Sequence, residues 1–232
     1  MPNRLGYGTL IVICLGVISP AYAQWIGNKV NLYAGYEIGN FHGPDLVTSG
    51  FVKFPSLFSN LKELSGHSLG ASYLLGDYFS LGIAFEQLTG SGWELAHQDT
   101  YYGSKVNLTS VSPSLRIHSK VEHEGLFNRI KLFAEISPVL GSARLTLPDS
   151  LYTVVMDGTV LPLPKTGSNN FRGLAGKIGF DFDITQRLGF HMDYGIHYNW
   201  IQSLLYMDQH FSFLLANIGL YLRVGKDRRY YY

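Results

Sequence analysis

The sequence predicts an all-β protein: an eight-stranded antiparallel transmembrane β-barrel whose strands follow one another as an up-and-down meander. Three observations lead to this fold. Apolar and polar residues alternate in segment after segment, the connections between segments alternate between short and long, and a short apolar leader precedes the first segment. Alternation with a period of two is typical of a strand with one apolar face. Short turns at one end and long loops at the other are typical of barrels in bacterial outer membranes.

The N-terminus has the three parts of a secretory signal peptide. Arg4 precedes the apolar run 10–18, and the small residues of Ala21-Tyr22-Ala23 follow. We predict a signal peptide over residues 1–23 that is cleaved after Ala23, a barrel over 24–225 and a short periplasmic tail over 226–232. The only cysteine, Cys14, lies in the leader, so the mature chain has no disulfide. A lipoprotein site at Cys14 is disfavoured by Ile13, where a small residue is expected.

Composition excludes several classes of protein. The net charge of +1 and the absence of a basic cluster argue against a nucleic-acid partner. Beyond the leader, no apolar run reaches the ~20 residues that a membrane helix requires. The histidines lack metal-ligand spacing, so we expect no metal and no cofactor.

The alternation defines the first four strands. A strand over 30–39 is followed, after a long insertion, by strands over 68–75 and 79–86, which a turn at Gly76-Asp77 joins as a hairpin. The fourth strand covers about 106–118.

The last four strands follow the same pattern and end in a closing hairpin. They cover 130–138, 174–184, 188–200 and 212–224, with a tight turn at 185–187 between the sixth and the seventh. In the seventh, residues such as Leu188, Tyr194 and Trp200 share one face and residues such as His191 and Asp193 share the other.

The connections predict the orientation. Long links are expected at 41–67, 89–105 and 144–171, a medium link at 201–210, a moderate link at 119–129, and short turns at 76–78 and 185–187. This order places the short turns and both termini in the periplasm. Leu57, Leu61 and Leu64 are expected to form a short amphipathic turn that either lies on the membrane surface or covers the barrel mouth, of which we prefer the second. Asp157-Gly158 predicts a hairpin that projects from the third outer loop; ten strands result if both of its arms cross the membrane, but the arms are short and interrupted by proline.

The charged residues within the strands share the polar face. A soluble sandwich also has alternating strands, but outward aromatic residues such as Tyr73, Phe79 and Trp200 favour girdles at two bilayer surfaces. An eight-stranded barrel is just wide enough to be filled by its own side chains. We therefore predict a lumen closed by paired charges, with no wide pore. The predicted charge network consists of Glu37, Glu86, Arg116, Lys131, Glu135, Lys177, Asp181, Asp183, His191, Asp193, His197 and Arg223.

The final strand carries a family resemblance. The segment 217–224 is similar to the signal by which the barrel-assembly machinery recognises outer-membrane proteins, and its matching residues are Asn217, Gly219, Leu222 and Val224. Residues 24–225 resemble the small OmpA-like and OmpX-like barrels, particularly the Bacteroidetes-type outer membrane protein beta-barrel proteins. The resemblance implies a bacterial outer-membrane location, with membrane lipid and the assembly machinery as partners. It implies no particular activity.

The sequence predicts no catalytic site. His197-Tyr198-Asn199 is similar to the His-x-Ser of outer-membrane lipid A deacylases, but Asn199 stands where the nucleophilic serine belongs. We therefore expect a structural or surface-interaction barrel whose long outer loops meet a protein partner. The alternatives are an accessory barrel of a secretion or motility complex, with contacts on the periplasmic side, and a lipid-modifying enzyme.

Overall fold

The computed structural model describes residues 30–42, 46–49, 52–55, 61–75, 78–96, 100–119, 129–146, 153–156, 159–162, 166–185, 187–204 and 207–224. The predicted signal peptide, its cleavage site and the periplasmic tail lie outside these ranges. Within them, no helix is both long enough and apolar enough to cross a membrane.

Twelve strands make up the described structure. They are β1 (Val30–His42), β2 (Leu46–Ser49), β3 (Val52–Pro55), β4 (Leu61–Leu74), β5 (Phe79–Ala96), β6 (Thr100–His118), β7 (Ile130–Thr146), β8 (Thr153–Met156), β9 (Thr159–Pro162), β10 (Thr166–Asp183), β11 (Leu188–Leu204) and β12 (Met207–Val224).

Eight of these strands close into a barrel in the order β1-β12-β11-β10-β7-β6-β5-β4. Every neighbouring pair is antiparallel, and β1 pairs with β12 from Val30↔Val224 to His42↔Ser212. The predicted eight-stranded meander is therefore confirmed. We call the end with the links β4–β5, β6–β7 and β10–β11 the turn end, and the opposite end the loop end.

The two remaining strand pairs form small separate sheets. β8 pairs with β9 on either side of residues 157–158, so the predicted hairpin forms and adds no strand to the barrel. β2 pairs with β3 in the link between β1 and β4, and this second hairpin was not predicted.

The apolar face of the strands points outward, as predicted. Leu132 and Ile178 are 62% and 65% exposed, whereas the neighbouring inward residue Lys177 is buried. We call this outer surface the apolar belt; it includes Ile38, Tyr73, Phe79, Leu81, Ile83, Leu115, Leu132, Ile136, Leu140, Leu174, Ile178, Tyr194, Ile196, Tyr198, Ile218 and Leu220. So large an exposed apolar surface requires lipid.

Several predicted loop boundaries are wrong because the strands continue past the apolar belt. Leu61–Gly66 belongs to β4 and Leu64 is buried in the barrel, so the predicted amphipathic turn is wrong there; Leu57 lies outside the described residues. β5 and β6 remain paired as far as Ala96↔Thr100, which removes most of the predicted link at 89–105. β11 and β12 extend to Leu204↔Met207, so most of the predicted medium link at 201–210 belongs to these two strands.

Prolines interrupt one ladder of the barrel. Between β6 and β7, pairing stops after Val111↔Leu140 and resumes at Leu115↔Ile136. Pro113 and Pro138 lie in this interval, and proline has no N–H to donate to a ladder. β6 nevertheless stays in the barrel, because Pro113 is in register with Ile83 of β5 on its other side.

Candidate functional site

The lumen beside the apolar belt contains a layer of ion pairs. Lys177 and Glu86 are both buried, and Lys177 Nζ lies 2.7 Å from Glu86 Oε1. Ser110 Oγ donates a hydrogen bond of 3.0 Å to the other oxygen of Glu86. A buried carboxylate of this kind needs both a counterion and a donor to offset the loss of its hydration.

A second cation, Arg116, joins two acidic groups. Its Nη2 lies 2.8 Å from Glu135 Oε2 and its Nη1 lies 3.6 Å from Asp181 Oδ2. The guanidinium group also lies over the Phe133 ring, 3.8 Å from the ring centroid. Arg116 thus connects the three successive strands β6, β7 and β10 on the lumen side of the wall. Lys131 lies opposite Asp181 in the β7–β10 register.

His191 lies between two carboxylates. Its Nδ1 is 2.5 Å from Asp181 Oδ1 and its Nε2 is 2.7 Å from Asp193 Oδ2. With both carboxylates ionised, the two hydrogen bonds require a proton on each ring nitrogen. Asn217 Nδ2 donates to the same oxygen of Asp193 at 3.0 Å. This chain of contacts joins β10, β11 and β12.

The ion pairs continue to the turn end. Arg223 Nη2 lies 2.9 Å from Asp183 Oδ1, and the Tyr221 hydroxyl donates to the same carboxylate oxygen. These contacts form three groups, around Glu86, Arg116 and Asp183. We call them together the charged layer; it consists of Glu86, Arg116, Glu135, Lys177, Asp181, Asp183, His191, Asp193, Asn217 and Arg223.

Glycines provide the space that these side chains occupy. A Cβ atom added to Gly195 would lie 2.6 Å from Lys177 Cγ and 2.7 Å from the carbonyl oxygen of Gly176. A Cβ atom added to Gly35 would overlap the side chain of Asn217. Both glycines face the lumen, where any larger residue would displace a member of the charged layer.

Five buried polar residues of the lumen have unsatisfied side chains: Glu37, Ser112, Ser137, His197 and Asn199. Glu37, His197 and Asn199 are fully buried, and their polar side-chain atoms have no hydrogen-bond partner among the described residues. His197 stacks on Phe213, with the ring centroids 4.7 Å apart. A cavity of about 40 Å³ lies beside Glu37 and is also lined by Glu86 and Lys177. It has room for water but is far too small for a pore.

The loop end of the lumen is filled by apolar side chains, which sequence reasoning missed. We call this group the apolar plug; it consists of Phe41, Leu64, Leu88, Val106, Leu108, Val139, Ala143, Leu145, Phe171, Ala175, Ile201, Phe211, Phe213 and Leu215. Its aromatic rings contact one another: Phe211 lies 5.4 Å from Phe171 and 6.1 Å from Phe213, centroid to centroid. The signal was present in β12, where residues 211–216 are apolar on both faces apart from Ser212.

The structure also places the residues that resemble an assembly signal and a catalytic pair. Asn217 and Gly219 face the lumen from β12, whereas Leu222 is exposed on the outer surface. Recognition of these residues by the assembly machinery stays a prediction. His197 and Asn199 are enclosed between the charged layer and the apolar plug. The described residues contain no group of three or more acidic, histidine or cysteine side chains arranged to hold a metal ion.

Comparison with solved structures supports the fold. The structure of the outer membrane protein OprG from Pseudomonas aeruginosa superposes with a TM-score of 0.55 at 11% sequence identity, covering 86% of this chain and 99% of OprG. The chain has the fold of a small outer-membrane barrel. Neisserial surface protein A is also similar, with a TM-score of 0.49 and 12% identity over 84% of this chain and 96% of that one. No protein-family profile and no curated protein sequence matches the chain. The fold and the apolar belt together agree with the predicted location, the bacterial outer membrane.

Proposed function

We propose that this outer-membrane barrel is a closed anchor that presents a surface-interaction region at its loop end and does not act as a general porin. The observation that carries the proposal is the presence of two packed groups of side chains inside the barrel. The charged layer lies in the lumen beside the apolar belt, and the apolar plug lies in it towards the loop end. An ion would have to disrupt both groups to pass.

The two closures resist opening for different reasons. Separating Lys177 from Glu86 would leave two buried charges unpaired, which costs several kcal/mol. Displacing the apolar plug would expose its side chains to water at roughly 25 cal/mol for each Å² of apolar surface. Neither cost is recovered by a hydrated ion.

The interaction region is the part of the barrel beyond the apolar belt, together with the hairpins β2–β3 and β8–β9. Its outer face is polar: Thr89, Ser91 and Asn107 are exposed on β5 and β6, and Thr89 Oγ1 donates to Asn107 Oδ1 at 3.1 Å. With the short turns in the periplasm, this face extends into the medium outside the cell. A rigid barrel wall holds the hairpins there, which suits recognition of a protein partner.

Channel recording tests the closed lumen. The full mature chain, refolded into planar bilayers, should give no stable conductance steps at moderate voltage. A refolded porin inserted by the same procedure is the positive control. Regular, long-lived steps from the purified chain would contradict the proposal.

Site-specific photo-crosslinking in cells tests where a partner binds. A photoreactive residue at Thr89 or Ser91, at the loop end, should yield a defined protein adduct, whereas one at Arg129 or Arg187, at the turn end, should not. The reverse result would favour the accessory-subunit alternative. A change in lipid A mass on deletion of the protein would favour the lipid-modifying enzyme.

A further inference from the structure

A groove of about 690 Å³ lies on the outside of the barrel near its loop end. Its lining includes Leu140 of β7, Arg172 of β10, Trp200 of β11 and His210 of β12. These four residues are in register across the four strands, as Leu140↔Arg172, Arg172↔Trp200 and Trp200↔His210. Asn169 Nδ2 donates a hydrogen bond of 2.5 Å to the carbonyl oxygen of Gln202, which joins β10 to β11 there.

The groove lies where the apolar belt ends. Leu140 is 62% exposed and Tyr198 is 46% exposed, and both belong to the belt. The Tyr198 and Trp200 rings pack edge to face with their centroids 5.0 Å apart. Tyrosine and tryptophan are enriched at the level of lipid head groups. One wall of the groove therefore faces acyl chains, while Arg172 and His210 occupy the level of the head groups.

The charged side chains described around the groove are cationic. Arg144 lies four residues beyond Leu140 on β7, and Lys105 lies on the neighbouring strand β6. Arg144, Arg172 and Lys105 are exposed and form no ion pair with any described residue. Among the described outward side chains of the loop end, the one carboxylate is Glu63 of β4, which β5 separates from Lys105.

We propose that this groove binds the phosphorylated head group of an outer-leaflet lipid of the lipopolysaccharide class. Arg172 and Arg144 contact phosphate, Trp200 packs on the sugar and upper acyl region, and Leu140 contacts the acyl chain. Arginine suits this role because its guanidinium group binds phosphate oxygens in pairs. The two arginines are four residues apart along neighbouring strands, roughly 13 Å, a spacing that suits a head group with two phosphates. The inference rests on the proposed orientation, with the loop end outside.

A fluorescence titration tests the site. In a Trp25→Phe, Trp93→Phe chain, Trp200 is the one remaining tryptophan and reports on the groove directly. The refolded chain in detergent is titrated with bisphosphorylated lipid A, with the same lipid after phosphatase treatment, and with inorganic phosphate. Lipid A should change the emission of Trp200 saturably, and the other two ligands should not.

Two charge-matched variants provide the comparison. Arg144→Ala with Arg172→Ala should raise the apparent Kd for lipid A by at least ~tenfold, while Arg129→Ala with Arg187→Ala at the turn end should change it by less than about twofold. All four side chains are exposed, and heat-modifiable migration on gels measures the folded fraction of each variant.

Four outcomes would overturn the inference. They are no saturable response to lipid A, an equal response to the dephosphorylated lipid, an equal loss in both arginine variants, and a full response to inorganic phosphate alone, which would indicate a site for the free ion. The titration does not depend on conductance or on crosslinked partners, so the proposed function and the lipid site fail separately.

Discussion

The barrel has two halves, one surrounded by the apolar belt and one towards the loop end. The same strands form both halves, but their apolar face points outward in the first half and into the lumen in the second. Beside the belt, Ile178 faces outward and Lys177 faces the lumen. Towards the loop end, Ser91 faces outward and Leu88 is buried inside. The direction of each side chain follows from strand geometry alone. Which face is apolar depends on the solvent that it meets.

The difference shows that the two halves are stabilised by different forces. The loop-end half resembles a soluble barrel, because its apolar plug is removed from water and its polar wall remains in water. In the belt half, lipid already solvates the apolar face, so lumen contacts must offset the burial of charge. The chain thus changes from one stabilising mechanism to the other within single strands such as β12.

The largest expected effect comes from breaking a buried ion pair in the belt half. Lys177→Met should lower the free energy of unfolding by about 3 to 5 kcal/mol, because Glu86 would remain buried without its counterion. Urea unfolding of the refolded chain in lipid vesicles measures the change. The double variant Glu86→Gln with Lys177→Met should recover much of the loss, and failure to do so would show that shape, not charge, dominates this position.

Truncation of the apolar plug should have an effect of similar size in the loop-end half. Phe211→Ala should lower the free energy of unfolding by about 3 kcal/mol or more, because it leaves a cavity among packed rings. The matched control is Phe85→Ala, which faces outward from the belt, where lipid fills the space that the ring vacates. Equal losses in the two variants would argue against a dry, packed plug.

A charge placed on the outer wall should distinguish the two halves most directly. Ile178→Arg should cost about 2 to 4 kcal/mol in vesicles, since the side chain would enter the hydrocarbon region. Ser91→Arg, on the polar outer wall, should stay within about 0.5 kcal/mol of the unmodified chain. The same unfolding assay compares them, and a large loss from Ser91→Arg would place the belt boundary further towards the loop end.

The smallest expected effect concerns a glycine of the lumen, Gly195, compared with Gly176 on the outer face of the barrel. Gly195→Ala should cost about 1 to 3 kcal/mol, because the new methyl group would meet Lys177 and a backbone oxygen that has little freedom to move. Gly176→Ala should change the free energy of unfolding by less than about 0.5 kcal/mol, because its added Cβ would have no neighbour within 4 Å. Thermal melts of the two variants in detergent provide the comparison.

Strand number, meander order and outward faces were all predictable from the sequence, because the period-two alternation in segments such as 188–200 is strong. Strand length was not, because glycine and serine in 89–92 indicate a loop although the strand pairing continues there. The apolar plug was missed for a related reason: Phe213 and Leu215 stand on the face that carries Asn217 and Arg223 further along β12.

Contacts within the candidate sites were less predictable still. The sequence shows that Glu86 and Lys177 each lie on the polar face of a strand. It does not show that they pair, because the two strands are far apart along the chain and the contact crosses the lumen. The lipid groove requires Leu140, Arg172, Trp200 and His210 to align across four strands, and this register is set by the whole closed sheet.

The pairing of β1 with β12 has a consequence for biogenesis. The first and last strands of the sheet are each other's neighbours, so the N-terminal strand keeps a bare edge until the C-terminal strand has been delivered. Bare edges invite aggregation, and contacts of such wide sequence separation form slowly. A chain that ended before residue 207 would lack β12, the strand that pairs with β1. It would also lack residues of both the charged layer and the apolar plug. We therefore expect the exported chain to require a chaperone until β12 has paired with β1.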